Sequence, residues 1–155
     1  MTLALSSLAF ADGGVIPTHY GCDAAGGADS SPPLQWSGAP AGTRSFALVC
    51  ADPDAPSGTF YHWAVYDIPA PATSLPEHYP TETRDHVRQA LNDFGRRGYG
   101  GPCPPPGPPH HYRFTLYALK VAHLSLHASP HCADVEAAAR RNSLAQADLT
   151  GLFGR

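Results

Sequence analysis

Charged side chains are scarce in this sequence. They make up 15% of the 155 residues, and the formal net charge at pH 7 is −3. Nonspecific binding to nucleic acid depends on positively charged side chains that neutralise the phosphates. The charge content therefore argues against a nucleic-acid partner.

A long apolar run is also missing. Residues 1–11 are largely apolar, but Ser6 and Ser7 interrupt them, and the run is far shorter than the ~20 residues of a membrane-spanning helix. The same residues contain no Lys or Arg, whereas a signal peptide begins with positive charge. We therefore expect residues 1–11 to contain the first strand, and at most peripheral contact with a membrane.

The cysteines lack the spacing of a metal site. The four positions are far apart, without a C-x-x-C pair: Cys22, Cys50, Cys103 and Cys132. This spacing, together with the missing signal-peptide pattern, predicts free thiols in a cytoplasmic protein that needs no disulfide. No metal and no other cofactor is expected.

Proline and glycine are abundant. The chain has 17 prolines and 15 glycines beside a hydrophobic content of 43%, which is typical of short strands joined by many turns. Its length is that of one domain. The sequence predicts a mainly β, antiparallel sandwich over residues 1–155, with one clear helix over residues 130–145 after an N-cap at Ser129. Val135, Ala138, Ala139 and Leu144 are expected on its packed side.

A predicted hairpin carries two aspartates at its turn. The apolar run over residues 45–51 predicts a buried strand, and residues 61–66 predict the strand that returns. Because strand side chains alternate, Asp52 continues the core-facing row of the first strand. A carboxylate on that face needs a hydrogen-bond partner, and either His62 or His110 is placed to supply one. We interpret the hairpin, with Asp52 and Asp54, as one wall of a site, although Asp-Pro-Asp is also common turn chemistry.

A second wall is predicted where a stiff loop enters a strand. The loop spans residues 100–109 and is rich in glycine and proline, and the strand covers residues 110–117. With a period of two, His110 and Tyr112 point to the same face beside the loop. A tyrosine hydroxyl and a protonated histidine both donate hydrogen bonds, so this pair suits a phosphate or a carboxylate.

Several short motifs occur in a fixed order along the chain. They are Asp52-Pro53-Asp54-Ala55-Pro56, His62-Trp63, Asn92-Asp93-Phe94-Gly95, and Gly101-Pro102-Cys103-Pro104-Pro105 followed by His110 and Tyr112. Together they resemble the phosphatidylethanolamine-binding protein family, which includes Raf kinase inhibitor protein, in its small prokaryotic form. The resemblance covers nearly all of the chain. One departure is that the family usually has Gly-x-His-Arg, whereas here His111 holds the position of the arginine.

The resemblance implies both a fold and a site. The implied fold is an antiparallel Greek-key β-sandwich of two sheets with short peripheral helices. The implied site is a small anion pocket for a phosphate or a phospholipid head group, formed by Asp52, Asp54, Pro56, His62, Gly101, Cys103, Pro104, His110 and Tyr112. The implied function is non-enzymatic binding of phosphate-bearing molecules, with a regulatory role like that of a kinase inhibitor.

The pocket is also expected to respond to pH. An Asp52 carboxylate beside the histidines should raise the pKa of His62 and His110 above the usual value of about 6.5. Burial opposes this shift because it disfavours the charged imidazole.

Two other functions stay open from the sequence alone. An inhibitor acting through its surface would have a protease or a kinase as its partner. A hydrolytic enzyme would use Asp52, His62 and His110 for acid–base chemistry, or Cys103 as a nucleophile. Since neither a third orienting group nor an oxyanion signature accompanies Cys103, binding is favoured.

Overall fold

Eight strands, one α-helix and two short 3₁₀ turns make up the computed structural model, which describes residues 2–83 and 86–155. The strands are β1 (Ala4–Ser6), β2 (Leu34–Ser37), β3 (Ser45–Asp52), β4 (Phe60–Pro69), β5 (Ser74–Leu75), β6 (Arg88–Gln89), β7 (His110–Leu119) and β8 (Ser143–Phe153). The 3₁₀ turns, Thr18–Tyr20 and Asp23–Ala25, lie between β1 and β2, and helix α1 (Cys132–Arg141) lies between β7 and β8.

The strands form two sheets, and the helix covers one of them. The smaller sheet has the order β1-β2-β5 and the larger the order β6-β4-β3-β7-β8, and every pairing between these strands is antiparallel. One apolar cluster, with Trp36, Leu48 and Leu116, fills the space between the sheets. A second cluster, with Val49 and Val135, lies between the larger sheet and α1. The predicted mainly β, two-sheet fold class is confirmed.

Side-chain alternation in β3 explains why the strand is buried on both faces. Phe46, Leu48 and Cys50 belong to the cluster between the sheets, while the residues between them pack toward the helix. A bulge in β4 interrupts the pairing, since Phe46 lies opposite Ile68 but Leu48 lies opposite Val65. Asp67 occupies this bulge with a φ of 58°.

Helix α1 is shorter than the sequence predicts. It begins at Cys132, and its N-cap is His131 rather than Ser129. His131 Nδ1 accepts a hydrogen bond from the Ala133 amide at 3.1 Å, and Asp134 accepts one from the His131 amide at 2.9 Å. This reciprocal pair satisfies amides that the first turn leaves free.

The end of the chain is a longer strand than predicted. Leu144 belongs to β8 and is 42% exposed, so its predicted place on the packed side of the helix is wrong. β7 already pairs with β8 at Ser143, opposite Leu119. Tertiary strand pairing therefore decides this boundary over local helix propensity.

The first strand lies within the segment where it is predicted. It is limited to Ala4–Ser6, and Leu5 lies opposite Trp36 of β2. Met1, the first residue of the predicted segment, lies outside the described residues. Within the described part of the chain, no helix is long and apolar enough to cross a membrane.

Two of the four cysteines form a disulfide, so the prediction of four free thiols is wrong. Cys22 and Cys103 are bonded with their Cα atoms 5.4 Å apart, although 81 positions separate them in sequence. The Cys22 amide also donates to the Pro102 carbonyl at 2.9 Å, which holds the two loops side by side. Cys50 and Cys132 are free and buried. The predicted cytoplasmic location depended partly on free thiols, and the disulfide removes that support.

Candidate functional site

A small pocket lies where the turn between β3 and β4, the start of β7 and the loop before β7 meet. Its volume is about 190 Å³. The residues that line it are Asp52, Ala55, Pro56, Phe60, His62, Phe94, Cys103, Pro104, Pro105, His110 and Tyr112. The polar members lie on the sheet, and the turn and the loop provide an apolar rim.

Most of the site residues predicted from the sequence converge on this pocket. Seven of the nine line it: Asp52, Pro56, His62, Cys103, Pro104, His110 and Tyr112. The other two, Asp54 and Gly101, lie outside its lining. The role of each residue toward a ligand stays a prediction.

Asp52 is nearly buried and uses both carboxylate oxygens. Its Oδ1 accepts a hydrogen bond from the Asp54 amide at 2.8 Å, which is the turn interaction typical of aspartate. Its Oδ2 accepts one from Nδ1 of His110 at 2.7 Å. The side chains of Asp52 and His110 are 4% and 14% exposed, so this pair is shielded from water. The Asp52 contact places a proton on Nδ1 of His110 and leaves Nε2 to act toward a ligand.

His62 is not the partner of Asp52. Phe60 lies opposite Asp52 in the β3–β4 register, and the pairing shifts between Cys50 and Ala51. Nδ1 of His62 instead donates to the Gly100 carbonyl at 2.6 Å. The ring therefore carries its proton on Nδ1, and among the described residues Nε2 makes no hydrogen bond.

Burial lowers the pKa of His62, although its bond to the Gly100 carbonyl and the charge of Asp52 act in the opposite direction. The expectation that this pKa lies above 6.5 is therefore wrong, although Asp52 acts in the predicted direction. Desolvation is the larger effect because His62 is only 3% exposed. At neutral pH the imidazole is uncharged, and its Nε2 lone pair is a hydrogen-bond acceptor.

Tyr112 brings a buried hydroxyl group to the pocket. The residue is 1% exposed, and among the described residues its buried hydroxyl makes no well-formed hydrogen bond, although the Asp52 carboxylate lies near enough to influence it. Burial raises the pKa of this phenol, and the negative charge of Asp52 raises it further. The group therefore stays protonated and is able to donate. A buried polar group without a partner is costly, and such groups often mark sites that a ligand completes.

Asp54 lies outside the pocket lining and binds His111. Its Oδ2 accepts from the His111 amide at 2.8 Å and from Nδ1 of the same residue at 2.7 Å. These contacts lower the pKa of Asp54, the backbone amide most. The residue that replaces the family's arginine thus pairs with Asp54 at the protein surface.

Gly101 contributes close packing. Its amide donates to Oδ1 of Asp29 at 2.6 Å, so this amide is already occupied. A Cβ atom at this position would lie 2.5 Å from the Tyr20 carbonyl oxygen. Glycine is required here because two backbone segments approach each other closely.

The aromatic wall of the pocket is not among the site residues predicted from the sequence. Phe60 and Phe94 lie edge to face with ring centroids 4.8 Å apart, and Phe94 is 39% exposed. Arg96 lies over Phe94 with its guanidinium 5.6 Å from the ring centroid, which places a positive charge near the pocket mouth. Side-chain alternation places Phe60 on the same face of β4 as His62, so this pattern could have identified Phe60 from the sequence.

Ala55 and Pro105 were also missed. Both line the pocket, and both stand directly beside a predicted site residue, Pro56 or Pro104. Their own side chains carry no polar group that would single them out in the sequence.

The arrangement suits binding through hydrogen bonds inside an apolar rim. It offers a donor at the Tyr112 hydroxyl, an acceptor at Nε2 of His62, and an imidazole at His110 that Asp52 orients. Cys103 is bonded to Cys22, so it is not the free nucleophile that the hydrolase alternative requires. Among the described residues, no group of three or more His, Cys, Asp and Glu side chains is arranged to hold a metal ion.

Comparison with known proteins gives consistent results over nearly the full chain. The family model described as phosphatidylethanolamine-binding protein matches residues 6–154. A UPF0098 protein of Aquifex aeolicus is 46% identical over 151 residues, which are 96% of this chain and 86% of that protein. A UPF0098 protein of Methanothermobacter thermautotrophicus is 44% identical over 153 residues, which are 97% of this chain and 98% of that protein.

A solved structure agrees with the sequence matches. The crystal structure of Escherichia coli YbcL, described as a new member of the mammalian PEBP family, superimposes with a TM-score of 0.89. The two chains are 34% identical, and the match covers 100% of this chain and 99% of the other.

Proposed function

The chain belongs to the phosphatidylethanolamine-binding protein family, and on that basis we propose that its pocket binds the phosphate of a small phosphate monoester or lipid head group without catalysing a reaction. The observation that carries the proposal is the Tyr112 hydroxyl, which is buried at the pocket and, among the described residues, makes no well-formed hydrogen bond. A phosphate oxygen placed there accepts from Tyr112.

The other polar groups complement a phosphate that keeps one proton. Nε2 of protonated His110 donates to a second phosphate oxygen, and Asp52 stabilises the resulting imidazolium. Nε2 of neutral His62 accepts from the remaining P–OH group. Because the second pKa of a phosphate monoester is near 6, this form of the ligand is present at mildly acidic and neutral pH.

The size and lining of the pocket limit the ligand. A volume of about 190 Å³ is below the ~300 Å³ at which pockets for drug-sized molecules begin, so it suits a head group rather than an acyl chain. Phe60, Phe94 and the rim prolines suit an apolar substituent next to the phosphate. A phosphorylated protein side chain has the same chemistry, and we include such a regulatory ligand, in the manner of a kinase inhibitor, in the proposal.

Calorimetric titration with inorganic phosphate, phosphoethanolamine and O-phosphotyrosine tests this function. We expect Tyr112→Phe to weaken the binding of all three by about tenfold, since one hydrogen bond to a charged group contributes roughly 1.5 kcal/mol. Tyr117→Phe is the matched control, because Tyr117 is equally buried on the opposite face of β7. The relative affinities of the two esters distinguish a lipid head group from a phosphorylated side chain.

The result also separates the alternatives. Equal affinities in Tyr112→Phe, Tyr117→Phe and the unmodified protein would refute the proposal. A surface inhibitor of a protease or kinase predicts inhibition that the Tyr112→Phe change leaves intact. A hydrolase predicts release of inorganic phosphate from the esters during the titration.

A further inference from the structure

A disulfide forms part of the pocket rim. Cys103 lines the pocket together with the next two residues, Pro104 and Pro105, and its sulfur is bonded to Cys22 in a distant loop. We propose that the Cys22–Cys103 bond is a redox-controlled clasp, and that a dithiol reductant opens it and weakens ligand binding. The proposal rests on the proposed function, because it concerns occupancy of the same pocket.

The rim depends on this bond because little regular structure supports it. Residues 101–109 lie between β6 and β7 and belong to no strand or helix. Two hydrogen bonds tether the first part of the segment: the Gly101 amide donates to Asp29, and the Pro102 carbonyl accepts from Cys22. Arg155 adds two more tethers: its Nε donates to the Pro104 carbonyl at 2.8 Å, and its own carbonyl accepts from the Gly107 amide at 3.4 Å. The disulfide is the covalent member of this set, and it is joined directly to a pocket-lining residue.

Reduction would act selectively at this pair. Cys22 and Cys103 are both partly exposed, whereas Cys50 and Cys132 are buried. Burial raises the pKa of the Cys50 thiol well above its usual value and that of the Cys132 thiol to about 12. A buried thiol that stays protonated does not take part in thiol–disulfide exchange.

A dithiol reductant opens the Cys22–Cys103 bond in two steps of thiol–disulfide exchange. One thiolate of the reductant attacks the Cys22 sulfur and forms a mixed disulfide, while the bond to Cys103 breaks and Cys103 leaves as a thiolate. Nη2 of Arg155 lies 3.8 Å from the Cys103 sulfur and stabilises the charge that develops there. The second thiol of the reductant then releases Cys22, so that two electrons and two protons reach the protein and the reductant becomes a disulfide.

The loss of the clasp is expected to weaken binding because the rim is no longer held in place before the ligand arrives. A preorganised site avoids the cost of ordering its loop on binding, and we expect reduction to weaken affinity by about tenfold. The sheet residues Asp52, His110 and Tyr112 keep their positions in β3 and β7. Binding is therefore weakened and not abolished.

The test compares the full-length protein before and after treatment with dithiothreitol. Affinity for O-phosphotyrosine is measured by calorimetry at fixed pH, and alkylation with mass spectrometry of the native protein counts the thiols released. We expect two new thiols and the tenfold loss of affinity. The double variant Cys22→Ser/Cys103→Ser should bind as weakly as the reduced protein, and the reductant should not change its affinity. Cys132→Ala keeps the Cys22–Cys103 bond, so its affinity should fall on reduction as that of the unmodified protein does.

A measurement without ligand separates this proposal from the proposed function. Amide exchange of Gly101, Cys103 and Gly107, the residues of the segment 101–109 that are not proline, should accelerate on reduction. Binding that is equally strong in both redox states overturns the clasp and leaves the proposed function intact. If neither redox state binds phosphate esters, the proposed function fails. In that case the clasp is tested by amide exchange alone, and exchange rates that do not change on reduction would overturn it.

Discussion

At the scale of single residues, two aspartate–histidine pairs have different surroundings. Asp52 and His110 are almost buried beside the pocket, whereas Asp54 and His111 are 42% and 57% exposed. The exposed pair is screened by solvent and contributes little to stability. The buried pair fixes the position of the proton on His110, so the same residue types perform different tasks.

His62 provides a prediction at this scale. Its pKa is lowered by burial, so the unfolded chain takes up a proton at this residue at higher pH than the folded chain does. The free energy of unfolding should therefore decrease as pH falls below about 6.5, and His62→Gln should make this dependence shallower. Urea unfolding between about pH 5 and 7.5 measures both slopes. A titration midpoint of the His62 ring above 6.5, measured by NMR, would contradict the prediction.

At the scale of elements, α1 depends on an unusual cap. His131 accepts from the Ala133 amide through Nδ1 and binds Oδ1 of Asp93 through Nε2 at 2.6 Å. The cap therefore joins the start of the helix to the loop that carries Phe94. Leu91 and Cys132 strengthen this junction, since the Cys132 amide donates to the Leu91 carbonyl at 3.0 Å.

The cap gives a second prediction. His131→Ala should lower the free energy of unfolding by about 1 kcal/mol, because it removes the side-chain acceptor at the N-cap. His131→Asn restores an acceptor and should recover most of this loss. Urea unfolding of the three proteins gives the comparison. If Asn is as destabilising as Ala, the bond to Asp93 and not the cap accounts for the effect.

At the scale of the whole molecule, two loops from distant parts of the chain meet at the pocket rim. The loop that carries Cys22 follows the first 3₁₀ turn, and the loop that carries Cys103 leads into β7. A bond across 81 positions restricts the unfolded chain strongly, and the stabilisation grows with the length of the loop it closes.

The corresponding prediction concerns overall stability. Cys22→Ser/Cys103→Ser should lower the free energy of unfolding by about 4 kcal/mol, in line with the entropy of closing so long a loop. Dithiothreitol should lower the stability of the unmodified protein by a similar amount and leave the double variant unchanged. Thermal and urea unfolding with and without reductant measure this. A difference of less than about 1 kcal/mol would mean that the other loop contacts hold the native state without the bond.

The sequence alone determined the fold class and most of the candidate pocket. Alternation with a period of two placed Asp52 at the end of a core-facing row and placed His110 and Tyr112 on one face, because both properties are local consequences of strand geometry. The motifs of the hairpin and of the proline-rich loop identified the family. These features depend on residues close together in the chain.

Only the tertiary structure decided which groups interact. Asp52 pairs with His110 and not with His62, because a shift in the β3–β4 register and the position of the Gly100 carbonyl are properties of packed strands and loops. The Cys22–Cys103 bond likewise joins loops whose proximity no local pattern encodes. The direction of the His62 pKa shift could not be predicted from the sequence for the same reason, since desolvation depends on the whole set of neighbours that bury the ring.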